Sequence, residues 1–159
     1  MRAYLVPMGI FTDPQGQNHA CCFLQQVDHT LPKWAGKIKA IGGAVEDGES
    51  VTEALLREVK EEVGDWLEKA KLPGTSKGFW GNESPNKDRM VTVMQDSSIT
   101  VEAILVDVGQ VSFRKLCQQT EESSAVAFTV PALEATGPQQ WAYPLMREAL
   151  ISFLKSAPV

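Results

Sequence analysis

Apolar positions along this chain alternate in some stretches and recur every three or four residues in others, and the changes of period mark out its elements. Ala3 to Phe11 and Ala20 to Val27 are strand-forming runs on either side of Asp13-Pro14-Gln15-Gly16, a turn sequence, and they predict an antiparallel hairpin. Lys37 to Ile41 is a short strand leading into a Gly42-Gly43 loop. Val51, Ala54, Leu55, Val59 and Val63 then recur at helical spacing. Ser50, with Glu53 three residues on, reads as a capping box in front of them. A helix from Ser50 to Val63 follows, with Gly64 as its stop signal.

Beyond that helix Leu72-Pro73-Gly74 interrupts the pattern, and residues 73 to 89 hold most of the loop-formers in the middle of the chain. Arg89 to Met94 and Ile99 to Val108 predict a second antiparallel pair across Gln95-Asp96-Ser97-Ser98, and Ala125 to Val130 a further strand. Pro144 opens a C-terminal helix with Leu145, Met146, Ala149, Leu150, Phe153 and Leu154 as its apolar stripe. No internal repeat and no linker divides the chain, so one domain over residues 1–159 is expected. Mixed strands with two main helices imply an α/β fold, an α/β/α sandwich around a mixed β-sheet.

The first helix also carries the candidate chemistry. Glu58 and Glu62 stand one turn apart and Glu61 lies on the adjoining flank, so three acids project from nearly one face. Like charges at this spacing repel by a few tenths of a kcal/mol per pair, a cost that a bound hard cation would reverse. Gly42-Gly43 lets a main-chain carbonyl approach such an ion, so loop and helix can share one metal site. A solvated face laced by Glu53 to Arg57 and Arg57 to Glu61 pairs is the plainer alternative. It leaves the spacing of the glycine pair, Glu49 and Gly64 unexplained.

Composition narrows the partners. With 159 residues, 43% hydrophobic and 22% charged, the chain has ordinary globular values that argue against disorder. A net charge of −5 without a run of lysine or arginine argues against long nucleic acid. A small polyphosphate remains compatible, because a divalent ion bridges it to an acidic helix. No apolar run reaches membrane-spanning length and the N-terminus lacks the features of a signal peptide, so a cytoplasmic protein with no membrane partner is expected. Cys21, Cys22 and Cys117 are odd in number and form no CxxC pair, which points to buried reduced thiols.

The run from Gly43 to Asp65 resembles the signature box of the Nudix hydrolase superfamily: glycine, five residues, glutamate, seven residues, then Arg-Glu-apolar-x-Glu-Glu-x-Gly-apolar. The charged and glycine positions agree. Asp65 departs from the pattern, which favours an aliphatic residue there, and Trp66 and Leu67 follow it; Ile41 stands where many members have proline.

The resemblance implies a Nudix-like sandwich and hydrolysis of a nucleoside diphosphate linked to another group. It implies Mg²⁺, with Mn²⁺ as a substitute, held by Glu58, Glu61 and Glu62 with help from the carbonyl of Gly42. Arg57 would pair with Glu61 or Glu49 and hold the carboxylates in register. By the same resemblance the general base is expected to be Glu58 or a downstream acid; Glu122 is favoured as an extra ligand or base, Glu102 competes, and an exposed polar loop is the other reading of Glu121-Glu122. Lys37 and Lys39 alternate onto one strand face, where Lys39 is expected to reach phosphate unless both are plain surface lysines. Among the aromatics Trp80 is the expected base-stacking residue, with Trp34 and Phe79 as further candidates, and a core role is the alternative for each. His19 and His29 carry no ligand spacing.

Members acting on ADP-ribose or diadenosine polyphosphates tend to carry a proline or tyrosine a short way beyond the box. Trp80 to Glu83 hold neither. The expectation is therefore a nucleoside or deoxynucleoside triphosphate cleaved to the monophosphate and pyrophosphate. A sugar nucleotide or dinucleotide is the alternative substrate, and a non-catalytic nucleotide sensor ranks last because the box is intact. Members of the family are often homodimers, and nothing in this sequence specifies such an interface.

Overall fold

The computed structural model describes residues 1–12, 14–27, 29–30, 34–63, 90–105 and 123–156. Its elements in chain order are β1 (Arg2–Thr12), β2 (Asn18–Val27), β3 (Ile38–Lys39), β4 (Ile41–Ala44), α1 (Val51–Val63), β5 (Met90–Gln95), β6 (Ile99–Leu105), β7 (Ser123–Thr129), α2 (Val130–Ala135), a 3₁₀ turn at Pro138–Gln140, and α3 (Pro144–Lys155). All seven strands belong to one mixed sheet.

β1 organises that sheet. It pairs antiparallel with β2 at its C-terminal end, antiparallel with β4 at its N-terminal end, and parallel with β6 along its other edge. Because β2 and β1 part company toward the N-terminus of β1, the chain from Ile38 to Ala44 fills the fork, pairing first with β2 and then with β1. β7 closes the far edge of β2, and β5 closes that of β6.

Alternation then sorts side chains between two faces. Tyr4, Val6, Met8, Cys22, Leu24, Val101 and Ala103 join Leu133, Trp141, Met146, Leu150 and Leu154 of the C-terminal segment in one core. Leu5, Cys21, Phe23 and Ile41 are buried on the opposite face, where α1 packs on β1 and β4 through Ala54, Leu55 and Val59. Burying each of these larger side chains contributes about 1.5–3 kcal/mol. Helices therefore cover both faces, and the predicted sandwich is observed.

The structure adjusts several sequence expectations. The glycine pair belongs to β4 and not to a loop, because Gly42 and Gly43 take ladder positions opposite Tyr4 and Ala3. The strand expected to end at Val130 gives way there to α2, a third helix, with Pro131 in its first turn. On α3, Met146, Leu150 and Leu154 are buried as expected, but Leu145 faces solvent and Ile151 takes the place in the stripe. The capping box is present: Glu53 N–H donates to Ser50 Oγ at 3.1 Å and Ser50 N–H to Glu53 Oε1 at 3.4 Å. Asp96 makes the turn between β5 and β6 by accepting the N–H groups of Ser98 and Ile99. Among the described residues no helix is long and apolar enough to cross a membrane.

Candidate functional site

Two adjacent glycines receive the acids of α1, each in its own way. Gly43 faces α1, and a Cβ there would come to 2.7 Å from Glu58 Oε1. Gly42 faces the other way, with φ of +150° and the backbone of Ala3 and Tyr4 in the space a Cβ would need. Its own N–H donates to Glu62 Oε2 at 2.9 Å. Glu58 and Glu62, one helical turn apart, are thereby drawn onto the two central residues of β4.

Arg57 fixes the helix against the segment before it. Its guanidinium donates to both oxygens of Glu49, Nε to Oε2 at 2.8 Å and Nη2 to Oε1 at 3.0 Å, and Nη2 also reaches the Ala44 carbonyl at 3.0 Å. Nη1 donates to Glu58 Oε1 at 3.1 Å. One planar group thus ties Glu49, the end of β4 and Glu58 together. The bond to Arg57 holds the Glu49 carboxyl down at about 2, and the same pairing raises Arg57.

Glu62 lies in a different field. Burial raises its pKa first of all, and the nearby charge of Glu58 adds to this; Lys39 and the Gly42 N–H pull the other way. Lys39 Nζ stands 3.4 Å from Glu62 Oε1. Two carboxylates, with side chains 16% and 19% exposed, therefore share a partly dry site. Hard oxygen donors in such surroundings suit a small divalent cation, which would relieve the mutual repulsion that the single Lys39 offsets only in part.

The sequence candidates separate in space. Glu58, Glu62, Gly42 and Lys39 come together, with Arg57 directly behind them. Glu61 does not join them: its side chain is 60% exposed and its Oε1 lies 3.6 Å from Arg57 Nη1. Among the described residues no three His, Cys, Asp or Glu side chains gather closely enough to hold an ion by themselves. Glu122 and Trp80 lie outside the described residues. Glu102 sits on the α1 face, in the register row of Leu5 and Ile41, where it accepts from Thr92 Oγ1 at 2.8 Å. Lys37 is turned away from the acids and donates to the Gln139 carbonyl. Trp34 packs on Tyr143 with ring centroids 5.5 Å apart.

One neighbour escaped the sequence reading. Arg2 donates to the Tyr4 hydroxyl at 3.1 Å, and that bond first, with the field of Glu58 among smaller contributions, raises its pKa. A second cation therefore lies within electrostatic reach of Glu58. Only the pairing of Arg2 with Ala44 across β1 and β4 reveals this, and no motif announces it.

A glycine pair against a helix carrying Arg57-Glu58 and Glu61-Glu62, with Glu49 clamped behind, is the arrangement that the signature box resembles. The family model described as NUDIX domain matches residues 5–148, most of the chain. The chain belongs to the Nudix family. It is accordingly a Nudix-type pyrophosphohydrolase, acting on phosphoric anhydride bonds.

Solved structures share the fold at low identity. A mutT/nudix family protein from Listeria innocua is 17% identical, with 96% of this chain and 90% of that one covered and a TM-score of 0.57. DR0079 from Deinococcus radiodurans is 15% identical over 95% of this chain and 82% of that one, with a TM-score of 0.51. No curated protein matches the chain in sequence.

Proposed function

We propose that this Nudix protein hydrolyses a nucleoside or deoxynucleoside triphosphate to the monophosphate and pyrophosphate, with Mg²⁺ as its working ion and Mn²⁺ as a substitute. The observation that carries the reading is the convergence of Glu58 and Glu62 on Gly42-Gly43 with Lys39 beside them. Glu58 and Glu62 would hold the ion, with Glu61 and the Gly42 carbonyl as further donors. Bound there, the ion would neutralise charge on the phosphoryl oxygens.

This chain's own residues do the rest. Arg57 keeps Glu58 in place and Glu49 keeps Arg57 in place, so the carboxylates do not reorganise as charge develops. Lys39 faces the phosphates as a point charge. Glu58, or Glu122 further along the chain, accepts the proton of the attacking water. A triphosphate is preferred because Trp80 to Glu83 lack the proline or tyrosine associated with ADP-ribose and diadenosine substrates.

The test is to incubate the purified protein with nucleoside and deoxynucleoside triphosphates, ADP-ribose, sugar nucleotides and dinucleotides, with and without Mg²⁺, and to resolve the phosphorus products. Metal-dependent pyrophosphate from a triphosphate is the expected result. Two monophosphate products from a sugar nucleotide or dinucleotide would replace the substrate and keep the chemistry; binding without hydrolysis across the panel would mean a sensor.

A further inference from the structure

Gln25 lies near the C-terminal end of β2 with 3% of its surface exposed, and its Oε1 has no hydrogen-bond partner among the described residues. Buried acceptors in folded proteins are nearly always satisfied, so one that is not calls for a cause. Its neighbour in sequence shows that the strand is able to satisfy a glutamine: Gln26 Nε2 donates to the Gly36 carbonyl at 3.2 Å. The difference lies in the face each occupies. Gln26 is opposite Ile38, on the face of the C-terminal helix, whereas Gln25 is opposite Lys39, on the face of α1. Directly opposed residues of an antiparallel pair point the same way, so Gln25 stands beside the lysine that meets Glu62.

We infer that Gln25 is a substrate-binding residue whose side-chain oxygen accepts a hydrogen bond from the nucleoside part of the ligand, a base N–H or a sugar hydroxyl. The inference rests on the nucleotide reading of the site. The unpartnered atom is the oxygen, an acceptor, and it selects that part of the ligand because ionised phosphate oxygens only accept and are repelled by it. Lys39 and Gln25 are complementary: a cation for the phosphates on β3, and next to it on β2 an acceptor for a neutral donor. An acceptor that is unsatisfied in the free protein and satisfied by the ligand also discriminates sharply, since a ligand lacking the donor leaves it buried and unpaired.

Gln25→Met keeps the length of the side chain and removes the amide, and Gln25→Leu removes it with a different shape. Both are expected to melt no lower than the wild type on account of Oε1, which has no hydrogen bond to lose. Equilibrium binding of nucleoside monophosphates, read by calorimetry without turnover, is expected to weaken about tenfold in both, while binding of inorganic pyrophosphate stays unchanged. Unaltered monophosphate binding overturns the inference. So does an equal loss for inorganic pyrophosphate, which would assign the amide to phosphate, or a lowered melting point in both variants, which would assign it a partner within the fold. A wild type that binds nucleotides and hydrolyses none defeats the hydrolase reading alone, and the variants still decide the role of Gln25. A wild type that binds no nucleotide overturns both.

Discussion

Arg57 and Glu49 are joined by two parallel N–H···O bonds of 2.8 and 3.0 Å, across the turn that leads from β4 into α1. The pair holds α1 in register against β4, and Glu58 is in register only because Arg57 is. Arg57→Lys keeps the charge but loses the fork that spans Glu49, Ala44 and Glu58. Turnover is expected to fall about 10- to 100-fold, with the melting temperature much less affected. Steady-state kinetics beside a thermal melt checks this; wild-type turnover in the lysine variant would refute the positioning role.

The same bond sets an acid limit on stability. Glu49 titrates at about 2 in the folded chain against 4.5 for a free glutamate, chiefly because of Arg57. A depressed carboxyl contributes stability that is fully present above its unfolded pKa and is lost as pH falls through the folded one. Stability should therefore decline between about pH 4.5 and about pH 2, and Glu49→Gln should flatten that part of the curve. Urea midpoints at stepped pH for both proteins provide the check. Asp96, also held low, contributes with the same sign to both proteins and so cancels in the comparison.

The two glycines of β4 should fail differently. A Cβ at Gly43 meets the end of the Glu58 side chain, which can move, so Gly43→Ala should fold and lose activity. A Cβ at Gly42 meets the Ala3 carbonyl at 2.1 Å, with φ at +150°, so Gly42→Ala should lose stability by about 3 kcal/mol or more. Chemical denaturation and activity measured on both variants separate the cases. A destabilised Gly43→Ala that retained activity would contradict the placement of Glu58.

The cysteines give a probe of the core. Burial pushes Cys21 up to about 11 and raises Cys22 as well. In a Cys117→Ser background a thiol reagent at neutral pH should react with neither until the protein is unfolded. An acid whose pKa is raised on folding holds its proton longer in the native state, so Cys21 should lower stability as pH rises from about 9 to about 11. A Cys21→Ala control isolates that slope.

How far the chain could be read beforehand depended on whether the cause was local. The hairpin, the capping box, the buried face of α1 and the proline start of α3 are written in neighbouring residues, and each was legible. Gly42-Gly43 misled because glycine pairs usually mark loops, whereas here the missing Cβ atoms let a strand lie between Tyr4 and Glu58. α2 was missed because Val130 reads as strand, and the six residues of the helix have no stripe of their own. That Arg57 pairs with Glu61 or Glu49 followed from the box, but the choice of Glu49 for the close bonds and the outward turn of Glu61 did not, since spacing alone puts Glu61 on the flank of the same face. Arg2 and Gln25 depend on strand register, which sequence patterns do not give.

Glu62→Gln decides whether Glu58 and Glu62 form the working acid pair of a divalent-cation-dependent hydrolase. Burial already disfavours charge at this position, so the neutral amide should leave the fold intact. Pyrophosphate release from the preferred triphosphate would be measured over a Mg²⁺ titration for the variant and the wild type. A loss of about a hundredfold or more that added Mg²⁺ does not restore is expected, at an unchanged melting temperature. Wild-type release with wild-type Mg²⁺ dependence in the variant would contradict it.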